Sequence, residues 1–230
     1  RGEYLSIHGR NIFKIFAIDR LNPLSANVIA VLGFKWIAKF IKDFPNQKFI
    51  GGGEESFGLM IGDKIRDKDA VSAVALLCEM AAYEKNKGRS LFEKLIDLYV
   101  EYGFYKEDLI SITKKGMNGA AEIAAMMEGY RKNPPLTISG TAVQTLLDYD
   151  LQLGKNLQTG KEWKIDLPKS NVLQFELADG TKISARPSGT EPKIKFYFSV
   201  NEPLISAAKF HETEKILDEK IKRIIIELGL

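Results

Sequence analysis

Cysteine is almost absent from this 230-residue chain: Cys78 is the only one. A lone thiol forms no intrachain disulfide and no thiolate zinc site. Histidine is nearly as scarce. His8 and His211 lie far apart, and neither belongs to a metal-spaced pair. No apolar run reaches the ~18 residues that a membrane-spanning helix needs, so no membrane partner is expected. The first residues do not read as a signal peptide, because charges and His8 interrupt the apolar ones. Excess charge is missing too. A net charge of +3 and a pI near 8.7 are too mild to argue for nucleic acid. There is no Walker phosphate loop, no dinucleotide glycine fingerprint and no HExxH. With nothing that needs oxidation, the expected compartment is cytoplasmic.

What remains is the mix of a soluble globular protein, 45% apolar and 27% charged. The length allows one large or two modest domains. Phe34, Ile37, Ala38 and Ile41 have helical spacing within 33–44, and Pro45 closes that segment. Lys48 to Ile50 reads as a short strand running into Gly51-Gly52-Gly53. Asp67 and Asp69 precede a helix expected over 70–87, with Gly88 as its stop. In that helix Val71, Val74, Ala75, Cys78 and Ala82 form one stripe, which predicts a buried thiol. Ser90 and Glu93 fit a capping box for a helix to about Tyr102, ended by Gly103. A strand is expected over 109–113 and a helix over 119–132.

Asn133-Pro134-Pro135 is the strongest boundary signal in the chain. It divides residues 1–133 from 137–230. After it, strands are expected over 172–177, 182–186 and 193–200, with Asp179-Gly180 as a hairpin turn. The last of these alternates apolar and polar residues, as a strand with one face on a core does. Pro203 is expected to open a long helix whose stripe is Leu217, Ile221, Ile224 and Leu228. The fold class that follows is an α/β first domain, a mixed sheet covered by helices, and a smaller α+β domain with an antiparallel sheet and a long C-terminal helix.

Two loops carry chemistry. Arg186-Pro187-Ser188-Gly189-Thr190-Glu191-Pro192-Lys193 lies between two strands and suits an anion. Arg186 offers a planar fork of donors to two phosphate oxygens. Ser188 and Thr190 can each donate a hydroxyl hydrogen. Gly189 lets the backbone approach closely and tolerates positive φ, so successive N–H groups can face one anion. Lys193 adds a point charge. The alternative is an ordinary surface hairpin. The second loop, Gly51 to Gly58, reads GGGEESFG and makes a poor helix and a poor strand. Glu54 and Ser56 fall on one side of an extended loop, where carboxylate and hydroxyl match vicinal sugar hydroxyls. Its alternative is a glycine-rich turn kept solvated by its acids. Glu54 and Glu55 point to opposite sides, which disfavours a paired acid–base role.

GEESFG (53–58) and RPSGTEPKIKFY (186–197), in this order, resemble the α-D-phosphohexomutases, the phosphoglucomutase and phosphomannomutase family. GFKWI (33–37) and RDKDAV (66–71) are similar to further segments of that family's third domain. The resemblance covers roughly 33–200 and corresponds to the third and fourth domains, the C-terminal half. It implies sugar binding by Glu54 and Ser56, with Lys35 at the rim and Arg66 as a weaker candidate. It implies phosphate binding by Arg186, Ser188, Gly189, Thr190 and Lys193. It also implies interconversion of hexose 1- and 6-phosphates through a phosphoserine, a hexose 1,6-bisphosphate and Mg²⁺. The family's Ser-His-Asn and DGDGDR-type loops do not occur in these 230 residues. No catalytic or metal-binding residue is therefore expected in this chain. Its expected partners are a hexose phosphate and the N-terminal half of the same enzyme. A non-catalytic phosphosugar-binding module is the alternative.

Overall fold

The computed structural model describes residues 16–17, 34–46, 49–53, 58–114, 116 and 118–230. They fall into two compact units, residues 1–104 with 203–210, and residues 105–202 with 211–230. This division does not run through Pro134-Pro135, which instead joins a helix to a strand inside the second unit.

In the first unit, helix α1 (Phe34–Asp43) turns Phe34, Ile37 and Ile41 inward. They form a small core with Phe49 and Met60 of a three-stranded sheet. The order is β1 (Phe16–Ala17), β2 (Phe49–Gly53), β3 (Leu59–Ile61), and each described pairing is antiparallel. The three glycines 51–53, expected as loop, are strand. The cause is close approach: a Cβ on Gly51 would lie 3.2 Å from the Met60 carbonyl oxygen, and one on Gly53 3.0 Å from that of Gly58.

Helix α2 (Ala70–Asn86) begins where Asp69 accepts from the Val71 N–H at 3.0 Å. Gly88, just beyond its end, takes φ +73°. Helix α3 (Leu91–Tyr102) starts with the expected capping box, Glu93 N–H to Ser90 Oγ at 3.1 Å and Ser90 N–H to Glu93 Oε2 at 2.7 Å. Phe210 joins this unit by stacking on Phe104, 5.0 Å between ring centres. Against expectation, Cys78 is exposed. The stripe predicted for the core is exposed with it, Val71 at 80% and Val74 at 59%. Helix α2 is apolar on most sides, so periodicity selects no single buried face. Its one buried residue is Glu84.

The second unit carries an eight-stranded sheet. Its order is β4 (Phe104–Thr113), β11 (Lys193–Glu202), β10 (Lys182–Pro187), β9 (Leu173–Leu177), β6 (Thr141–Asp148), β7 (Leu153–Asn156) and β8 (Glu162–Lys164), with β5 (Thr137–Ile138) paired to β6. Strands β5 to β8 have no counterpart in the sequence reading. β5, β7 and β8 are two to four residues long, whereas β6 is an interior strand of eight residues with Val143 and Leu146 buried. Gly154 of β7 lies under Trp163 of β8, where a Cβ would come within 2.3 Å of the indole. Helix α4 (Gly119–Lys132) sets Tyr130 edge-on to Phe175 and Phe196. That packing keeps α4 with this sheet and explains why the Pro-Pro pair is not the division. Arg131 then binds Asp148 through Nε at 2.8 Å and Asn171 at 2.8 Å, tying α4 to the end of β6.

Strand β11 departs from simple alternation. Residues 196–200 are all buried, because the strand runs inside the sheet between β4 and β10. The long helix does not begin at Pro203. A 3-10 turn (Ala207–Lys209) intervenes, and α5 runs Phe210–Glu227. Leu217, Ile221 and Ile224 are buried as expected, and Leu228 is half-buried. Lys220, almost fully buried, reaches Asp179 of the β9–β10 turn at 2.9 Å and Glu202 at 3.6 Å. Burial alone would push the Asp179 carboxyl up, but hydrogen bonds from Lys220 and Thr181 outweigh it and hold it below the usual range. The two units thus match the expected class of α/β followed by α+β with an antiparallel sheet and a long C-terminal helix.

Candidate functional site

The cationic segment is the connection of the β10–β11 hairpin. Six paired positions run from Lys182 opposite Ser199 to Pro187 opposite Ile194. Apolar residues of one sheet face, Ile183, Ala185, Ile194 and Phe196, are fully buried and anchor the base. The tip is closed by the Ser188 N–H to the Lys193 carbonyl at 2.7 Å. A second clamp comes from outside the hairpin, the Lys114 N–H to the Pro192 carbonyl at 2.9 Å. The loop is therefore short, braced on both sides and built on two regular strands.

Arg186, Ser188, Gly189 and Thr190 are exposed at this tip, and Lys193 is half-buried. The five predicted phosphate-site residues are thus gathered on one hairpin. Among the described residues, neither Arg186 nor Lys193 has an ion-pair partner, so both charges remain available. The backbone contribution is smaller than the sequence suggests. The N–H groups of Ser188, Thr190 and Lys193 are engaged within the loop, Thr190 N–H on Ser188 Oγ at 3.4 Å and Lys193 N–H on the Glu191 carbonyl at 2.7 Å. Those of Gly189 and Glu191 make no hydrogen bond among the described residues. Ser188 Oγ accepts from Thr190 and keeps its own hydrogen to donate.

Gly189 differs from its expected role. It does not take positive φ, and a Cβ there would meet nothing within 4 Å. The backbone does not demand glycine here. One further cation stands beside the predicted ones. Lys195 lies directly opposite Arg186 in the hairpin, so the two cations share a face. Spacing along the strand puts Lys193 and Lys195 on one side, but only the register sets Lys195 opposite Arg186.

In the first unit, Glu54 and Ser56 fall within 54–57, outside the described residues. The strands that flank this segment are in place, with Gly53 paired to Leu59. Lys35 is the second residue of α1. Arg66 is exposed and makes no ion pair with Asp67 or Asp69. Asp67 pairs with Lys68 instead, and Asp69 caps α2.

Residues 24–102 match the family model described as phosphoglucomutase/phosphomannomutase, alpha/beta/alpha domain III. The chain belongs to the phosphoglucomutase/phosphomannomutase family. Curated relatives extend the similarity beyond that domain. A phosphoglucomutase of Staphylococcus haemolyticus is 37% identical over 172 residues, 74% of this chain and 31% of its own length. One from Staphylococcus epidermidis is 39% identical over 170 residues, again 74% and 31%. One from Staphylococcus aureus is 38% identical over 172 residues, with the same shares. The chain spans about a third of the length of these phosphoglucomutases. The open form of Paramecium parafusin, titled a phosphoglucomutase, shares the fold with TM-score 0.52 and 21% identity, over 84% of this chain and 33% of that one.

Proposed function

We propose that this chain is the substrate-binding half of a phosphohexomutase, acting on glucose phosphates, mannose phosphates or both. The observation that carries the reading is the braced hairpin that presents Arg186, without an ion-pair partner among the described residues, beside Ser188, Thr190 and Lys193. In this reading the hairpin anchors the phosphate that is not reacting, while Glu54 and Ser56 hold sugar hydroxyls in either orientation, with Lys35 at the rim. The enzyme as a whole would interconvert hexose 1- and 6-phosphate through a phosphoserine and a hexose 1,6-bisphosphate, in the cytoplasm.

Magnesium would offset charge on the transferring phosphoryl group. Among the described residues no group of three or more His, Cys, Asp or Glu could hold a metal ion. Lacking the serine loop as well, the chain by itself binds and orients but does not turn over. A charge-assisted hydrogen bond contributes about 1.5–3 kcal/mol. Two or three of them support binding near millimolar, about −4 kcal/mol.

The alternative reading is a phosphosugar-binding module without catalysis. Calorimetric titration with glucose 1-phosphate and inorganic phosphate tests the common core of both. Millimolar binding is expected, weakened at least ~10-fold by Arg186→Ala. Unchanged binding in that variant removes the hairpin from the site. A coupled assay separates the two readings once an upstream half carrying the serine and metal loops is added: restored turnover selects the mutase, and none selects the module.

A further inference from the structure

The hairpin treats its cations in two ways. Near the base of β10, Lys182 has Glu176 of β9 directly opposite, and the two form an ion pair at 3.1 Å. Near the tip, on the same side of the same strand, Arg186 has Lys195 directly opposite. Lys193 stands two residues from Lys195 and faces the same way. Among the described residues none of these three tip cations has an acidic partner within ion-pair distance. Like charges directly opposite on an antiparallel pair destabilise it. The sheet neutralises its cation where the strand is structural and leaves three together at the tip.

We propose that the Arg186–Lys195 pair is an electrostatic strain that a bound phosphate dianion relieves, so that Lys195 lowers the stability of the unliganded chain and raises that of the anion complex. The proposal rests on the anion-site reading above. It adds a trade of opposite sign in one residue: removing the charge of Lys195 stabilises the empty protein and weakens binding. Because both groups reach solvent, the strain is screened by salt and belongs to low ionic strength.

The test is thermal unfolding of the full chain and of Lys195→Met and Lys195→Arg, each in 10 mM and 500 mM sodium chloride, with and without inorganic phosphate. Methionine keeps the unbranched stem and removes the charge. Without phosphate at low salt, Lys195→Met is expected to melt about 1–2 °C above the parent, and the gap closes at high salt. Lys195→Arg is expected to match the parent in both. Phosphate raises the melting temperature of the parent more than that of Lys195→Met. If Lys195→Met fails to fold, Arg186→Met gives the same comparison from the other strand. A parent that gains from phosphate while the variant shows no low-salt advantage overturns the strain and leaves the anion site standing. No gain from phosphate in any form overturns the anion site itself.

Discussion

Two long helices in this protein follow different rules. Helix α5 in the second unit has apolar residues on one stripe, and Leu217, Ile221 and Ile224 are almost completely buried. Helix α2 in the first unit is richer in apolar residues, yet Val71, Val74, Leu77, Met80 and Tyr83 are all exposed. Its buried residue is a glutamate, Glu84. The contrast separates amount from arrangement. In α5 the charged residues leave a single face free to pack, so the sequence chooses it. In α2 nothing in the pattern distinguishes one side from another, and burial waits on whatever surrounds the helix.

Truncation separates the two helices most sharply. Leu217→Ala is expected to cost about 2–5 kcal/mol, the range for a core leucine. Leu77→Ala should stay within about 0.5 kcal/mol, the range for a surface change. Urea unfolding of both variants measures this, and comparable losses would mean that α2 is buried in solution. A smaller effect belongs to the polar side of α5. Lys220→Met removes the partner of Asp179 and is expected to cost about 1–3 kcal/mol. The pH dependence has a definite sign. Asp179 titrates lower in the folded chain than in the unfolded one, so its contribution is complete above the ordinary carboxylate range. It is lost as pH falls below about 4. Acid unfolding of Lys220→Met should therefore begin from a lower plateau and show a shallower slope than the parent. The smallest expected change in stability is at Gly189. Gly189→Ala adds a methyl into open space, so unfolding should move by less than about 0.5 kcal/mol. Phosphate affinity should nonetheless fall, and an unchanged affinity would show that no ligand approaches the backbone there.

Local signals in the sequence were good guides wherever one turn of chain contains the whole cause. The Ser90–Glu93 box, the Asp69 cap and the Asp179-Gly180 turn are such cases, and each is present. The gathering of the cationic residues on one turn was legible for the same reason, since eight consecutive positions, 186–193, make it. Strand β8 was not, because an exposed edge strand such as Glu162–Lys164 shows no alternation until a partner is beside it. Lys195 reads only as a polar position of a half-buried strand. Its place opposite Arg186 is a matter of register between two strands, not of spacing along one.

By itself, the order of residues determined the caps, the stripe of α5 and the composition of the cationic turn, because those depend on neighbours within a few positions. Only the tertiary structure decided that Pro134-Pro135 lies inside a unit, that Cys78 is exposed, and that two cations confront each other at the hairpin tip. These depend on which distant segments pack together, and that choice is made by summed burial and strand pairing rather than by any local preference.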